Sequence, residues 1–125
     1  MYTLSPEHEY IAREIIKSVP DMRYLKDVLV AYISCDKQKI SKGHRIHGEC
    51  KKLPEMYRML CGYAFAIIIY APNCLTFSDE QIKILIEHEL RHIGIKGDKY
   101  CIVPHDIELG EFNAISEKYG DDWSR

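Results

Sequence analysis

A chain of 125 residues, 46% hydrophobic and 29% charged, is long enough for one core and too short for two. That balance excludes a disordered chain, and a net charge of −2 excludes a bulk electrostatic pull toward nucleic acid or an anionic membrane. The longest apolar run, AFAIIIYA (64–71), is strand-length, so no membrane span is expected.

The opening MYTLSPEHEY has neither the basic nor the apolar region of a secretory signal. SPEHEYIAREIIKSV predicts a helix: Ser5 caps it, Pro6 suits the first position, and Ile11, Ile15 and Val19 recur at four-residue spacing before Pro20 ends it. DVLVAYIS (27–34) reads as a strand. Residues 35–54, polar, basic and glycine-containing, predict a hairpin or long loop, and LPEMYRMLCG (53–62) a short helix or irregular connection. YAFAIIIYA (63–71) is the clearest buried strand, closed by Pro72 and Asn73. A further helix runs from about Asp79 to Ile93, opened by a capping box of Ser78 and Gln81, with Gly94 as a left-handed stop. Residues 100–103 form a short strand ended by Pro104. ELGEFNAISEKYG forms a closing helix with Phe112 and Ile115 on one face and Gly120 at its end. The order predicts an α+β fold in a single domain, 1–125, with a small twisted mixed sheet packed against helices. Five scattered cysteines without a C-x-x-C pair predict reduced thiols and a cytoplasmic protein.

Within the second long helix, IEHELRHIG (86–94) contains H-E-x-x-H as His88, Glu89 and His92. In a shuffled chain of this composition the pattern arises about 0.02 times, so coincidence is a poor explanation. At about 100° per residue, Lys83, Glu87 and Arg91 share the arc expected to face solvent, and Ile82, Leu85, Ile86, Leu90 and Ile93 share the core arc. His88 and His92 lie on the flank of the core arc, about 40° apart, and Glu89 falls inside it. Two imidazoles and a carboxylate at a core boundary cost stability unless something satisfies them, and a cation does. Imidazoles at i and i+4 can direct one nitrogen each at a single Zn²⁺, leaving Glu89 beside the ion to take a proton from a water. A catalytic zinc usually has a third protein ligand. His105, in VPHDI, is the first choice, with Glu108 and Glu111 as rivals. Asp106 suits a hydrogen-bond acceptor for a ligand histidine.

Other signals are weaker. His44, His47 and Cys50 recur every three residues, yet on a strand that spacing alternates faces, and an ordinary loop is expected rather than a second metal site. The basic stretch 37–52 is expected to be a solvated loop, because no aromatic residue interleaves it for stacking on bases. Tyr100 or Tyr119 can donate to a developing oxyanion, although packing roles suit both. YAFAIIIYA is either a sheet edge that accepts an extended peptide or a fully paired core strand.

These residues resemble the phage metallopeptidases, short zincin-like domains of phages and prophages. The resemblance covers most of 27–120. It rests on VLVAYI, KGHRIHGECKKL, GYAFAIII, the helix SDEQIKILIEHELRHIG and the closing PHDIELGEFNAISEKYG. One departure is visible: such proteins often carry G-Y-D-F in the strand before the motif helix, where this chain has Ala64. The resemblance implies a zinc-dependent peptide-bond hydrolase with one zinc per chain, His88 and His92 as ligands, Glu89 as general base and His105 matching the downstream histidine. The expected partner is a peptide or protein substrate, with neither membrane nor nucleic acid. The alternatives are a non-catalytic, zinc-stabilised interaction domain, an SprT-like protease working near nucleic acid, and hydrolysis of a non-peptide amide such as that of peptidoglycan. Glu89 favours catalysis, since a structural site has no use for a base and would close its fourth position with a residue such as Cys101.

Overall fold

The computed structural model describes residues 1–105 and 112–124. In chain order the elements are β1 (Tyr2–Leu4), α1 (Pro6–Ser18), a 3-10 turn (Pro20–Leu25), β2 (Val30–Cys35), β3 (Ile40–Ser41), β4 (His44–Arg45) and β5 (Gly48–Lys52). There follow α2 (Glu55–Cys61), β6 (Phe65–Tyr70), a second 3-10 turn (Ala71–Cys74), α3 (Asp79–Leu90), β7 (Ile93–Lys96), β8 (Lys99–Ile102) and α4 (Asn113–Tyr119). β1, with all three residues exposed, carries no apolar alternation to betray it in the sequence. The first part of the expected closing helix lies outside the described residues; from Asn113 onward it is α4, ending at Gly120.

The main sheet has the order β1-β2-β6-β5. β2 and β6 are parallel, and the two outer strands are antiparallel to their neighbours. This small mixed sheet with several helices makes the fold α+β. β6 is apolar at every position because both its faces are covered. Phe65, Ile67 and Ile69 join the main core with Ala12 and Ile15 of α1 and Leu85 and Ile86 of α3. Ile68 and Tyr70 point to the other face, where Cys35, Ile33 and Ile46 cover them. Each isoleucine so buried stabilises the fold by about 1.5–3 kcal/mol. β6 is therefore an interior strand, and the sheet edge beside the motif helix belongs to β5.

The basic stretch after β2 is a hairpin, as one of its two readings expected. Ser41 pairs with His44 across a two-residue turn whose central residues, Lys42 and Gly43, have φ of 52° and 79°. Positive φ at both is the mark of a type I′ turn, which suits strand twist but costs a lysine about 1 kcal/mol. The base of this arm is fixed by buried Asn73, whose Nδ2 donates to the carbonyls of Lys39 (2.8 Å) and Ile46 (2.7 Å).

α3 opens with the expected capping box: Ser78 N–H donates to Gln81 Oε1 at 2.8 Å and Gln81 N–H to Ser78 Oγ at 3.2 Å. It ends at Leu90, earlier than expected, and Gly94 is not its left-handed stop. Gly94 sits in β7 opposite Cys101, where a Cβ would lie 2.7 Å from Cys101 Sγ and 2.7 Å from Val103 Cγ2. A glycine is required there by close approach across the hairpin rather than by backbone sign.

One assignment on the helical wheel also changes. Glu87, expected in solvent, is 0% exposed, and Ile84, which the wheel placed on neither arc, is buried against Phe112 and Ile115. The cause is α4, which packs on this face of α3. Its Lys118 Nζ (3.1 Å) and Tyr119 Oη (2.9 Å) donate to Glu87 Oε1, while Arg91 Nη2 (2.9 Å) donates to Oε2. Arg91 reaches on to Asp21 at 3.0 Å, so one carboxylate ties α3 to α4 and, through arginine, to the first 3-10 turn. Burial alone would raise the Glu87 carboxyl; the bonds from Arg91, Tyr119 and Lys118 outweigh it and hold the group below its ordinary value.

Candidate metal centre

The last turn of α3 carries His88 and Glu89, and the chain stays wound for one residue past Arg91, with His92 N–H donating to Glu89 O at 3.1 Å. The β7–β8 hairpin then doubles back. Ile93 pairs with Ile102, so the next rung outward joins His92 to Val103: Val103 N–H donates to His92 O at 2.7 Å. Two residues later comes His105. The hairpin thus returns a histidine distant in sequence to the end of the motif helix.

His88, His92 and His105 each offer one ligand atom, all within 4.8 Å of one another, a group able to hold a metal ion. The Nε2 atoms of His88 and His105 are 3.0 Å apart. His92 Nδ1 lies 2.7 Å from the Val103 carbonyl oxygen. A carbonyl only accepts, so Nδ1 carries the proton and Nε2 carries the lone pair, the tautomer a metal ligand needs. Three imidazoles with converging donors suit a borderline-soft divalent ion such as zinc.

Phe112 forms the wall behind the triad. Its ring centroid lies 5.3, 4.9 and 5.1 Å from those of His88, His92 and His105, and the side chain is buried. The Trp123 ring centroid stands 6.4 Å from that of His88. An aromatic backing of this kind lowers the local dielectric and fixes ring orientation. On the opposite side the triad opens outward, His88 being buried and His105 exposed.

Glu89 is 4% exposed, with Oε1 4.0 Å from His92 Nε2. Its other oxygen rests against Gly48 of β5, 3.3 Å from where a Cβ would stand. The cleft between β5 and the histidines has a volume of about 370 Å³, with Gly48, Glu49 and Cys50 on one side and Ile102 near His105 on the other. Burial, with the Glu89 charge adding to it, pushes the Cys50 thiol strongly upward, so it stays protonated.

Other candidates go elsewhere. Among the described residues, His44, His47 and Cys50 form no group able to hold a metal; His47 instead stacks on Phe77 at 4.6 Å. Cys101 packs over Gly94 and does not join the triad, and all five cysteines are free thiols. Tyr119 spends its hydroxyl on Glu87, and Tyr100 packs edge-on to Phe65, so the packing roles hold. Ala64 is buried, its backbone bonded to Leu29 and Leu53. Asp106, Glu108 and Glu111 lie outside the described residues. Sequence reasoning missed the parts played by Gly48, Val103 and Phe112. Only Phe112 left a signal, as an apolar residue soon after His105.

Among the described residues no helix is long and apolar enough to cross a membrane. The model of one protein family, described as "Putative phage metallopeptidase", matches residues 1–125, the whole chain. No curated protein and no solved structure matches.

Proposed function

The chain belongs to this phage metallopeptidase family, and on that premise we propose that it is a zinc-dependent peptide-bond hydrolase of zincin type, working in a reducing compartment such as the cytoplasm. The observation that carries the reading is the convergence of the His88, His92 and His105 donors beside a buried glutamate. These three residues would hold the ion. Zinc bound there supplies Lewis-acid polarisation of the attacking water and the scissile carbonyl.

The chain's own groups do the rest. Glu89 is walled by Gly48 and shielded from bulk water, so its carboxylate takes the proton of the attacking water and passes it to the leaving amine. Val103 holds His92 in one tautomer, and Phe112 keeps water from the rear of the imidazoles. β5, the outer strand of the sheet, lines the cleft and suits an extended peptide added beside it, the role that the interior strand β6 cannot play.

The test is elemental analysis of dialysed wild type beside His105→Ala, followed by assay on casein and on a peptide library with Glu89→Gln as control. About one zinc per chain in wild type, largely lost from His105→Ala, with cleavage abolished by Glu89→Gln, supports the reading. Zinc retained without any cleavage supports instead a zinc-stabilised interaction domain. No metal in either protein after zinc is supplied rejects both.

A further inference from the structure

The charge of this chain is unevenly placed. Residues 37–52 hold six lysines and arginines against one acid, Glu49, a local +5 that leaves −7 on the remainder of the molecule. The stretch comprises the β3–β4 arm and the edge strand β5, and its Lys39 and Ser41 line the cleft in front of the histidine triad. Glu49 is already neutralised: Lys39 pairs with it, Tyr70 Oη donates to it at 2.9 Å, and Lys51 Nζ stands 3.9 Å away. Lys42 and Arg45, both exposed, make no ion pair among the described residues. The positive charge of the arm is therefore left for something outside the chain.

Two further features say that the arm is built to present it. Asn73, buried beneath, holds the carbonyls of Lys39 and Ile46, the residues on either side of the arm, so the charges project from a fixed base. At the tip, Lys42 occupies a left-handed position (φ 52°) that asparagine, aspartate or glycine fills with less strain. A cation stands where backbone conformation favours a small polar residue.

Resting on the peptidase reading above, we propose that the β3–β4 arm selects peptide substrates carrying acidic side chains next to the bond presented to the triad. Nucleic acid is the poorer fit. The stretch 37–52 holds no aromatic residue for base stacking, and the −7 on the rest of the molecule repels a long polyanion beyond a short contact. A few carboxylates on an extended peptide match the size and sign of the patch.

The test is equilibrium binding by fluorescence anisotropy with zinc-supplemented Glu89→Gln protein, so that no probe is consumed. The probes are a labelled peptide with glutamate at alternate positions, its glutamine counterpart, and a thymidine oligonucleotide of equal length. The glutamate peptide should bind about tenfold tighter than the glutamine peptide at low salt, and added salt should erode the difference. Adding K42N and R45Q should cut the preference to about twofold with an unchanged melting profile, since asparagine suits the turn. Glutamates at both positions should turn the preference toward a lysine peptide. Equal affinities, no binding of either peptide, a preference that survives K42N/R45Q, or tighter binding of the oligonucleotide each overturns the proposal. Wild-type cleavage of the same peptides reads the hydrolase separately. Charge-selective binding without cleavage removes the peptidase and keeps the arm; cleavage indifferent to charge does the reverse.

Discussion

His92 and Val103 hold each other twice: the Val103 N–H donates to the His92 carbonyl at 2.7 Å, and the Val103 carbonyl accepts from His92 Nδ1 at 2.7 Å. One rung of the β7–β8 hairpin thereby fixes both the backbone and the ring of a candidate metal ligand. The same hairpin delivers His105. Its geometry depends on Gly94, where a Cβ would fall 2.7 Å from Cys101 Sγ and from Val103 Cγ2.

Gly94→Ala should therefore damage stability and metal binding together. Overpacking of this kind costs about 1–3 kcal/mol. Displacing the group that orients a ligand histidine should weaken zinc about tenfold to a hundredfold. Urea titration gives the first quantity and competition with a chromogenic chelator the second. Normal zinc affinity in a destabilised variant would show that the Val103 clamp does not set the ligand.

Glu87→Ala tests the buried carboxylate that joins α3 and α4. Its removal leaves Arg91, whose side chain is only 12% exposed, with Asp21 as its remaining carboxylate and takes the acceptor from the Tyr119 hydroxyl. Loss of one partner from a buried charge pair costs about 3 kcal/mol, and the part-exposed Lys118 keeps the figure from rising further. Because α4 follows directly on Phe112, the variant should also release the aromatic wall, read as a rise in solvent quenching of Trp123 fluorescence. A urea midpoint shifted no more than a surface pair would shift it, about 0.5 kcal/mol, would mean that the network is solvated.

Stability should also fall on mild acidification, through histidines outside the triad. Burial holds His8 below its ordinary 6.5, with Glu7 opposing in part, and burial with Arg45 does the same to His47. A histidine kept neutral in the fold takes up a proton more readily when unfolded. Its contribution is complete above 6.5 and is lost as pH falls from there toward the depressed folded value. The gap in urea midpoint between wild type and His8→Gln/His47→Gln should narrow from pH 7 to about pH 5.5. A gap independent of pH would remove these two residues as its source.

What the sequence disclosed and what it hid divides along local and non-local lines. The α3 capping box, the β6 run and the meeting of His88 with His92 depend on neighbours within a turn or two, and period and spacing carry them. His105 was legible because it ends a short strand just after the motif. The burial of Glu87 was not: Lys83, Glu87 and Arg91 form a polar stripe in any sequence, and only the packing of α4 decides that solvent does not reach it. Gly94 misled for a related reason, since a helix-stop glycine and a close-approach glycine read alike until the partner strand is known. The edge strand is the same case. β5 is short and basic, and its place beside the cleft follows from a strand order that no local pattern encodes.

Gly48 gives the sharpest separation of roles, because it crowds the base and not the ligands. A Cβ there would lie 3.3 Å from Glu89 Oε2, 3.2 Å from the Ile68 carbonyl oxygen and 3.2 Å from Ile69 Cδ1. The backbone of Gly48 has no positive φ, so alanine brings a modest gain by restricting the unfolded chain, which offsets the crowding of the isoleucine. Net stability should change by less than about 1 kcal/mol. The movable partner is the carboxylate, which must give by a few tenths of an ångström, whereas a misplacement of about 1 Å at a reacting group costs about a hundredfold in rate. Gly48→Ala should accordingly keep its zinc and its KM while kcat falls by a smaller factor, up to about tenfold. Steady-state kinetics on any peptide the wild type cleaves, with metal content measured on the same preparation, decides the matter. Loss of zinc in step with kcat would place Gly48 in the architecture of the histidines; kcat lost with zinc retained places Glu89 at the proton transfer.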